Sequence, residues 1–170
     1  MKAFLLLILL MAPAAASADV VSASAAGFMI RSVMTVAGTP AAAYAAVVNV
    51  NQWWDKDHTY SGDSKNLSIA ALPGGCFCEA LPGGGVQHGT VAFAWPGRLL
   101  RIIGALGPLQ EMGIAGTMTW QFEQAPEGTK VIFSYVVGGY PTVPFEKLAP
   151  LVDGVMAVQM KSLKAYADRK

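Results

Sequence analysis

The sequence contains two histidines, and their surroundings decide what chemistry they could perform. His58 follows Asp55 and Asp57 in a polar stretch, whereas His88 lies apart in a segment rich in glycine and valine. Two imidazoles and two carboxylates could bind a transition metal or transfer protons. Their spacing matches no motif such as His-Glu-x-x-His, and an Asp-Lys-Asp-His run in a loop is typical of a solvated surface. We therefore predict no metal site, no cofactor and no assigned catalytic residue.

The two cysteines form the motif Cys76-Phe77-Cys78. On a strand, alternate residues share a face, which would place the two Cα atoms ~6.5 Å apart, near the upper limit for a disulfide. A disulfide, two free thiols and a metal-binding pair completed by His88 all remain open, and a structural role is favoured. The spacing is not Cys-x-x-Cys, so a thioredoxin-like redox function is unsupported.

No motif for covalent catalysis or phosphate binding is present. Gly-x-Ser-x-Gly, the P-loop and the dinucleotide-binding glycine pattern are all missing from the sequence. Arg31 and Arg101 lie within apolar strand-like segments. An arginine inside a cavity would bind a carboxylate or phosphate, whereas one on the outer face would keep the sheet soluble. The outer face is favoured for both, although Arg101 remains a candidate binding residue.

Residues 1–18 have the pattern of a secretory signal peptide. Lys2 is followed by an unbroken apolar run over residues 3–12, and Ala16-Ser17-Ala18 provides a small-x-small cleavage site. We therefore expect an exported protein, periplasmic or secreted, with a mature chain of 152 of the 170 residues. Residues 19–26 are small and are expected to form a flexible N-terminus.

The charge balance excludes several function classes. The chain has 12 Lys and Arg against 11 Asp and Glu, and loss of Lys2 with the leader would make the two counts equal. A neutral chain lacks the basic footprint of a nucleic-acid-binding protein or of a polybasic membrane-surface protein. No later apolar run approaches the ~20 residues needed to cross a bilayer, so stable membrane insertion after leader cleavage is not expected.

The order of the predicted elements indicates an α+β fold. A first strand spans Phe28–Val36, and Thr39-Pro40 is a helix start that continues to Val48. Between residues 65 and 138, short strands alternate with glycine-rich turns, as in an antiparallel meander. After Pro144, apolar residues recur every three or four positions, which predicts a long C-terminal helix that must cover the sheet.

Several segments in this order resemble the START-like (SRPBCC) superfamily, whose helix-grip fold is shared with polyketide cyclases. The resemblance covers about residues 27–168, and the predicted domain extends over 27–170. The segments that carry it are Phe28–Val36, Thr39–Tyr44, Trp53-Trp54, Leu72–Gly75, Gly89–Val91, Trp95–Leu99 and Glu127–Val131.

The resemblance implies a curved antiparallel sheet of about seven strands around the C-terminal helix, with one or two short helices after the first strand. A cavity between sheet and helix would then bind a small molecule. For the adjacent tryptophans, we expect one to pack inward and the other to cover the cavity mouth or be exposed. The candidate ligand-binding residues are Trp53, Trp54, Tyr60, Phe93, Trp95, Arg101, Met118, Trp120, Phe122, Phe133, Tyr135, Val152 and Met156.

Three functions follow as hypotheses. The first is a binding protein for a hydrophobic or amphipathic ligand such as a lipid, sterol, aromatic or polyketide-like compound, acting as a monomer or weak dimer. The second is an enzyme of the cyclase or dehydratase type, for which His58, His88, Tyr135 and Arg101 are the nominees. The third is an interaction module related to chaperone ATPase activators, which the predicted leader disfavours.

Overall fold

One antiparallel sheet and a long helix make up most of the fold. The structure, a computed structural model, describes residues 18–169, so the predicted leader lies outside the described residues except for Ala18. The strands are β1 (Ala18–Ser24), β2 (Gly27–Val36), β3 (Leu67–Ile69), β4 (Cys76–Leu81), β5 (Gly84–Trp95), β6 (Leu99–Gly104), β7 (Ile114–Ala125) and β8 (Gly128–Gly139). Their spatial order is β1-β2-β8-β7-β6-β5-β4-β3.

Two α-helices complete this part of the chain, α1 (Pro40–Val48) and α2 (Phe145–Ala167). Short 3-10 helices lie in the connections, among them Lys56–His58 and Gly107–Leu109. The α+β helix-grip arrangement predicted from the sequence is confirmed, with eight strands where about seven were expected.

The N-terminal segment 19–26, expected to be loose, instead forms most of strand β1 and the turn after it. β1 pairs antiparallel with β2, from Ala18 opposite Ser32 to Ser24 opposite Gly27. Helix α2 also packs against β1. The small residues of this segment carry little strand signal, and the strand is formed through its pairing with β2.

Helix α1 begins where the sequence predicts. The Thr39 side chain accepts a hydrogen bond from the Ala42 amide at 3.3 Å, and Pro40 occupies the first helical turn. The preceding turn is tied to the sheet, because the Thr129 hydroxyl donates to the Gly38 carbonyl at 2.9 Å. This contact fixes the path by which the chain leaves β2.

Helix α2 lies across the inner face of the sheet, and it packs mainly against β1 and β2. The helix continues through Pro150, which lies in its second turn where loss of one backbone hydrogen bond is tolerable. Beneath it, the inner face is filled by large buried side chains: Ile30, Leu100, Ile102, Met118, Trp120, Phe133 and Tyr135. The middle of the domain is therefore a solid core.

A register shift in β5 reverses the expected orientation of two aromatic residues. Strict alternation would place Val91, Phe93 and Trp95 on one face. Instead, Val91 pairs with Ile102 and Phe93 with Arg101, so that one residue is inserted as in a β-bulge. Val91 is buried, whereas Phe93 is 40% exposed and Trp95 is 52% exposed on the outer face.

Membrane-spanning helices were sought throughout the part of the chain that the structure describes. Within residues 18–169, neither α1 nor α2 combines the length and apolarity that crossing a bilayer requires.

Candidate functional site

A cavity of about 420 Å³ lies at the β3–β5 end of the sheet. It is enclosed by the first half of α2, the loop 54–60, the inner faces of β3, β4 and β5, and the segment 106–112. The apolar side chains that dominate its lining include Trp54, Leu67, Phe77, Leu109, Met112, Leu148, Val152 and Met156. Because α2 packs chiefly on the opposite end of the sheet, space remains between the helix and these edge strands.

Four of the sequence-predicted ligand-binding residues line this cavity: Trp54, Tyr60, Val152 and Met156. Trp53 points elsewhere, because its indole nitrogen donates to the Ala46 carbonyl at 2.9 Å within the core. The inner-face residues Met118, Trp120, Phe122, Phe133 and Tyr135 are buried in the solid core rather than in the cavity lining. Both tryptophans are buried, Trp53 in the core and Trp54 in the cavity wall.

The remaining three candidates lie on the outer face of the sheet. Phe93 and Trp95 contact each other there, with ring centroids 6.4 Å apart. Arg101 is half-buried, and its Nε donates to the Thr119 hydroxyl at 3.2 Å. Arg31 is exposed, so both arginines occupy the outer-face position that the sequence favoured.

The loop 54–60 is fixed to α2 by one buried glutamine. Gln159 is fully buried; its Oε1 accepts the Asp55 amide at 2.8 Å, and its Nε2 lies 2.9 Å from His58 Nδ1. Since Oε1 is the acceptor for Asp55, Nε2 must donate to His58, which leaves the ring proton of a neutral His58 on Nε2. The Trp54 indole also donates to the His58 carbonyl at 3.0 Å.

The acidic side chains near His58 shape the loop. Asp55 caps the short helix Lys56–His58 by accepting the Asp57 amide at 2.9 Å. Asp57 pairs with Lys56 at 2.6 Å, with both side chains mostly exposed. Within residues 18–169, no group of three or more His, Cys, Asp or Glu side chains is arranged to hold a metal ion.

A buried pair, Glu79 and His88, lies on the strand side of the loop 54–60 and is bonded to the end of that loop. Glu79 Oε2 lies 3.0 Å from His88 Nε2, and the two residues are 1% and 5% exposed. The same carboxylate accepts the backbone amides of Tyr60 and Ser61. Through this one charged group, Glu79 on β4 contacts both the end of the loop 54–60 and strand β5.

The protonation of this pair follows from its surroundings. Burial alone would raise the pKa of Glu79, but hydrogen bonds from Ser61, Tyr60 and His88 outweigh it and hold that pKa below its ordinary value. Burial lowers the pKa of His88, and the hydrogen bond to Glu79 offsets this only in part. At neutral pH the pair is therefore an ionised carboxylate bonded to a neutral imidazole.

A second register shift places His88 on the inner face. Cys78 pairs with Gln87 and Phe77 with Gly89, so His88 is the extra residue, as in a β-bulge. Its ring lies between two aromatic rings, stacked on Tyr60 at 6.0 Å and tilted against Phe77 at 5.0 Å.

Sequence reasoning missed the partner of His88 and most of the cavity wall. Glu79 shares a strand face with Phe77, two positions earlier, and a carboxylate on an apolar face signals a buried, paired charge. That signal was available. The segment 106–112 and the contact through Gln159 depend on tertiary packing and had no comparable signal.

Cys76 and Cys78 form a disulfide, and both are half-buried. Their Cα atoms are 5.4 Å apart rather than the ~6.5 Å of a regular strand, in keeping with the register shift that follows Phe77. They lie on the face opposite Phe77 and Glu79. The disulfide therefore lies in β4, the strand that contributes Phe77 and Glu79 to the site. The free-thiol and metal-pair alternatives do not apply to this structure.

Comparison with known proteins identifies the fold but not a family. No family model matches the sequence, and no curated protein is detectably similar to it. Many solved structures share the fold. One is the Aha1 dimer from Colwellia psychrerythraea, 21% identical, with a TM-score of 0.59 over 82% of this chain and 96% of that one.

Two further structures have similar coverage of this chain. The di-domain aromatase/cyclase StfQ of the steffimycin pathway is 15% identical, with a TM-score of 0.58 over 85% of this chain and 51% of that one. Protein MLL2253 from Mesorhizobium loti is 13% identical, with a TM-score of 0.62 over 84% and 98%. At such identities these likenesses establish a helix-grip fold and nothing finer.

Proposed function

We propose that this protein binds a hydrophobic or amphipathic small molecule in the cavity at the β3–β5 end of the sheet. The observation that carries this proposal is the cavity itself, about 420 Å³ and lined mainly by apolar side chains. Its size falls within the ~300–1,000 Å³ common for small-molecule sites. Lipids, sterols, aromatic compounds and polyketide-like compounds all suit such a lining.

The cavity walls support this role physically. Apolar side chains that face a cavity lose dispersion contacts on that side, and an apolar ligand restores those contacts while removing its own surface from water. Met112 and Met156 lie in the wall, and the flexible, polarisable methionine side chain adapts to ligands of irregular shape. Leu151, in the same wall, is 67% exposed and extends the apolar surface outward.

We also propose that the protein acts outside the cytoplasm, in the periplasm or as a secreted protein. The leader-like residues 1–18 motivate this proposal, and the Cys76–Cys78 disulfide supports it, since disulfides persist mainly in oxidising compartments. Cell fractionation with mass measurement of the mature chain tests it. A cytosolic protein that retains Met1 would contradict it.

Two matched valine variants on α2 test ligand binding. Val152 lines the cavity, whereas Val158 lies on the same helix, 38% exposed and outside the lining. In isothermal titration with 1-methoxynaphthalene, Val152→Phe should raise the Kd at least about fivefold, because the larger side chain occupies cavity volume. This change corresponds to a loss of ~1 kcal/mol of binding free energy. Val158→Phe should leave the Kd within about twofold. Equal effects of the two variants, or no heat with the wild type, would contradict the proposal.

A second candidate is a cyclase or dehydratase acting in the same cavity, and the Glu79–His88 pair favours it. A carboxylate that orients a neutral imidazole is a common arrangement for a general base. Wild-type protein should then accelerate cyclisation or dehydration of a β-polyketone thioester, and His88→Gln should abolish the acceleration. An unchanged product distribution with and without protein would leave binding as the function.

A further inference from the structure

We propose that Nδ1 of His88 is the polar recognition point of the cavity and accepts a hydrogen bond from a hydroxyl group of the ligand. The ligand class is then an apolar alcohol or phenol. This inference rests on the proposed function, because it specifies which hydrophobic molecule the cavity selects.

The key observation is a buried ring nitrogen of His88 that has no hydrogen-bond partner. His88 lines the cavity and is 5% exposed, and its Nδ1 is buried without a hydrogen-bond partner. A buried polar atom without a partner costs free energy, and native proteins rarely leave one so. A ligand that donates to Nδ1 removes that cost.

The bond to Glu79 determines what Nδ1 can do. The carboxylate accepts two backbone amides from the loop, which holds it ionised, so the third contact requires a proton on His88 Nε2. In a neutral imidazole the other nitrogen then carries a lone pair. Nδ1 is therefore a hydrogen-bond acceptor, and its partner must be a donor such as O–H.

The imidazole is held in one orientation. Tyr60 stacks on one side of the ring with an interplanar angle of 20°, and Phe77 packs against it at 5.0 Å. Glu79 fixes the edge that carries Nε2. Such a preorganised acceptor loses little free energy to ordering when a ligand binds.

The other polar residues that line the cavity are more exposed to solvent. Asp57, His58 and Tyr60 are exposed, and Thr59 is half-buried, all on the loop at the cavity rim. His88 is the buried polar residue among those lining the cavity in the described chain. A hydroxyl at the inner end of an apolar ligand would meet His88, while the rim groups can exchange their bonds with water.

Two probes and one isosteric substitution test this assignment. 1-Naphthol carries the hydroxyl, whereas 1-methoxynaphthalene has the same ring system without a donor. The variant His88→Gln keeps an N–H that can donate to Glu79 but has no atom at the position of Nδ1. The control variant Val158→Phe changes a residue of α2 that lies outside the cavity lining.

Wild-type protein should bind 1-naphthol about tenfold tighter than 1-methoxynaphthalene, the preference expected for one buried hydrogen bond. In His88→Gln the two probes should bind with about equal Kd values. Val158→Phe should retain the preference of the wild type. Equal affinities of the wild type for the two probes, or the same preference in His88→Gln, would overturn the assignment while leaving the proposed function intact.

A measurement that needs no ligand completes the test. Long-range ¹H–¹⁵N NMR should show His88 neutral at pH 7, with the proton on Nε2 and Nδ1 bare, and 1-naphthol should shift the Nδ1 resonance. A proton on Nδ1 would overturn the inference even if both probes bind. Failure of both probes to bind the wild type, with the expected tautomer present, would instead refute the proposed function, and the inference with it.

Discussion

Replacement of Glu79 by alanine is the perturbation whose effect follows most directly from the contacts around the site. Glu79 is 1% exposed and accepts hydrogen bonds from the Tyr60 amide at 3.2 Å, the Ser61 amide and His88 Nε2. The variant Glu79→Ala leaves all three donors without their acceptor. His88 thereby loses its buried acceptor, whereas the loop amides can be hydrated if the loop opens.

The magnitude can be worked from these three bonds. Hydrogen bonds to a charged group contribute ~1.5–3 kcal/mol each, and they are not additive within one network. A buried donor left without its acceptor also carries a desolvation cost of ~1–3 kcal/mol. We therefore expect Glu79→Ala to lower the free energy of unfolding by ~3–5 kcal/mol and the Tm by ~10 °C, since 1 kcal/mol shifts a domain of this size by ~2–4 °C.

The assay is urea unfolding monitored by tryptophan fluorescence, with Glu123→Ala as the matched control. Glu123 pairs with Lys130 at 3.1 Å, but both side chains are about half exposed. Such a pair is worth under ~1 kcal/mol. A loss below ~1 kcal/mol for Glu79→Ala, or equal losses for the two variants, would refute the conclusion that this carboxylate organises the site.

Three further predictions concern the same region. Because burial depresses the pKa of His88 below its ordinary 6.5, the unfolded chain takes up its proton first as the pH falls. The stabilisation by neutral His88 should therefore be present above pH 6.5 and decline below it. The measurement is the unfolding free energy of wild type minus that of His88→Gln between about pH 8 and pH 5, the range that brackets a histidine titration. Thiol titration should find no free thiol in the native protein and two after reduction, since Cys76 and Cys78 are bonded to each other; two reactive thiols before reduction would contradict the disulfide. Gly104→Ala should lower the free energy of unfolding by ~1–3 kcal/mol, because its Cβ would lie 2.1 Å from the His88 carbonyl oxygen. A Cβ at Gly84 would meet no atom within 4 Å, so Gly84→Ala should cost under ~1 kcal/mol in the same unfolding assay.

Much of the fold was readable because local signals and tertiary packing agree. The Phe28–Val36 strand, the Thr39-Pro40 start of α1 and the C-terminal helix after Pro144 all occur where the sequence predicts them. Each has a local physical cause: a side-chain cap, glycine-bounded alternation, or helical periodicity. The order of these elements then limits the possible topologies, which is why the sequence predicts the helix-grip arrangement.

The site was less readable because its geometry depends on register. The inserted residues in β5 rotate Phe93 and Trp95 outward and His88 inward, and strict alternation gives no warning of either shift. An apolar inner-face residue such as Met118 looks the same in a sequence whether it fills a core or lines a cavity. The difference arises because α2 packs on β1 and β2 and leaves space between itself and the β3–β5 end.

The central claim is that the cavity at the β3–β5 end binds a hydrophobic small molecule. The most direct test is to locate the binding position of a probe on the protein. Backbone ¹H–¹⁵N spectra recorded during a titration with 1-methoxynaphthalene would locate it. The account predicts saturable shifts at Trp54, Met112 and Val152, which line the cavity. Shifts confined to the exposed outer face around Phe93 and Trp95, or none up to the solubility limit of the probe, would contradict it.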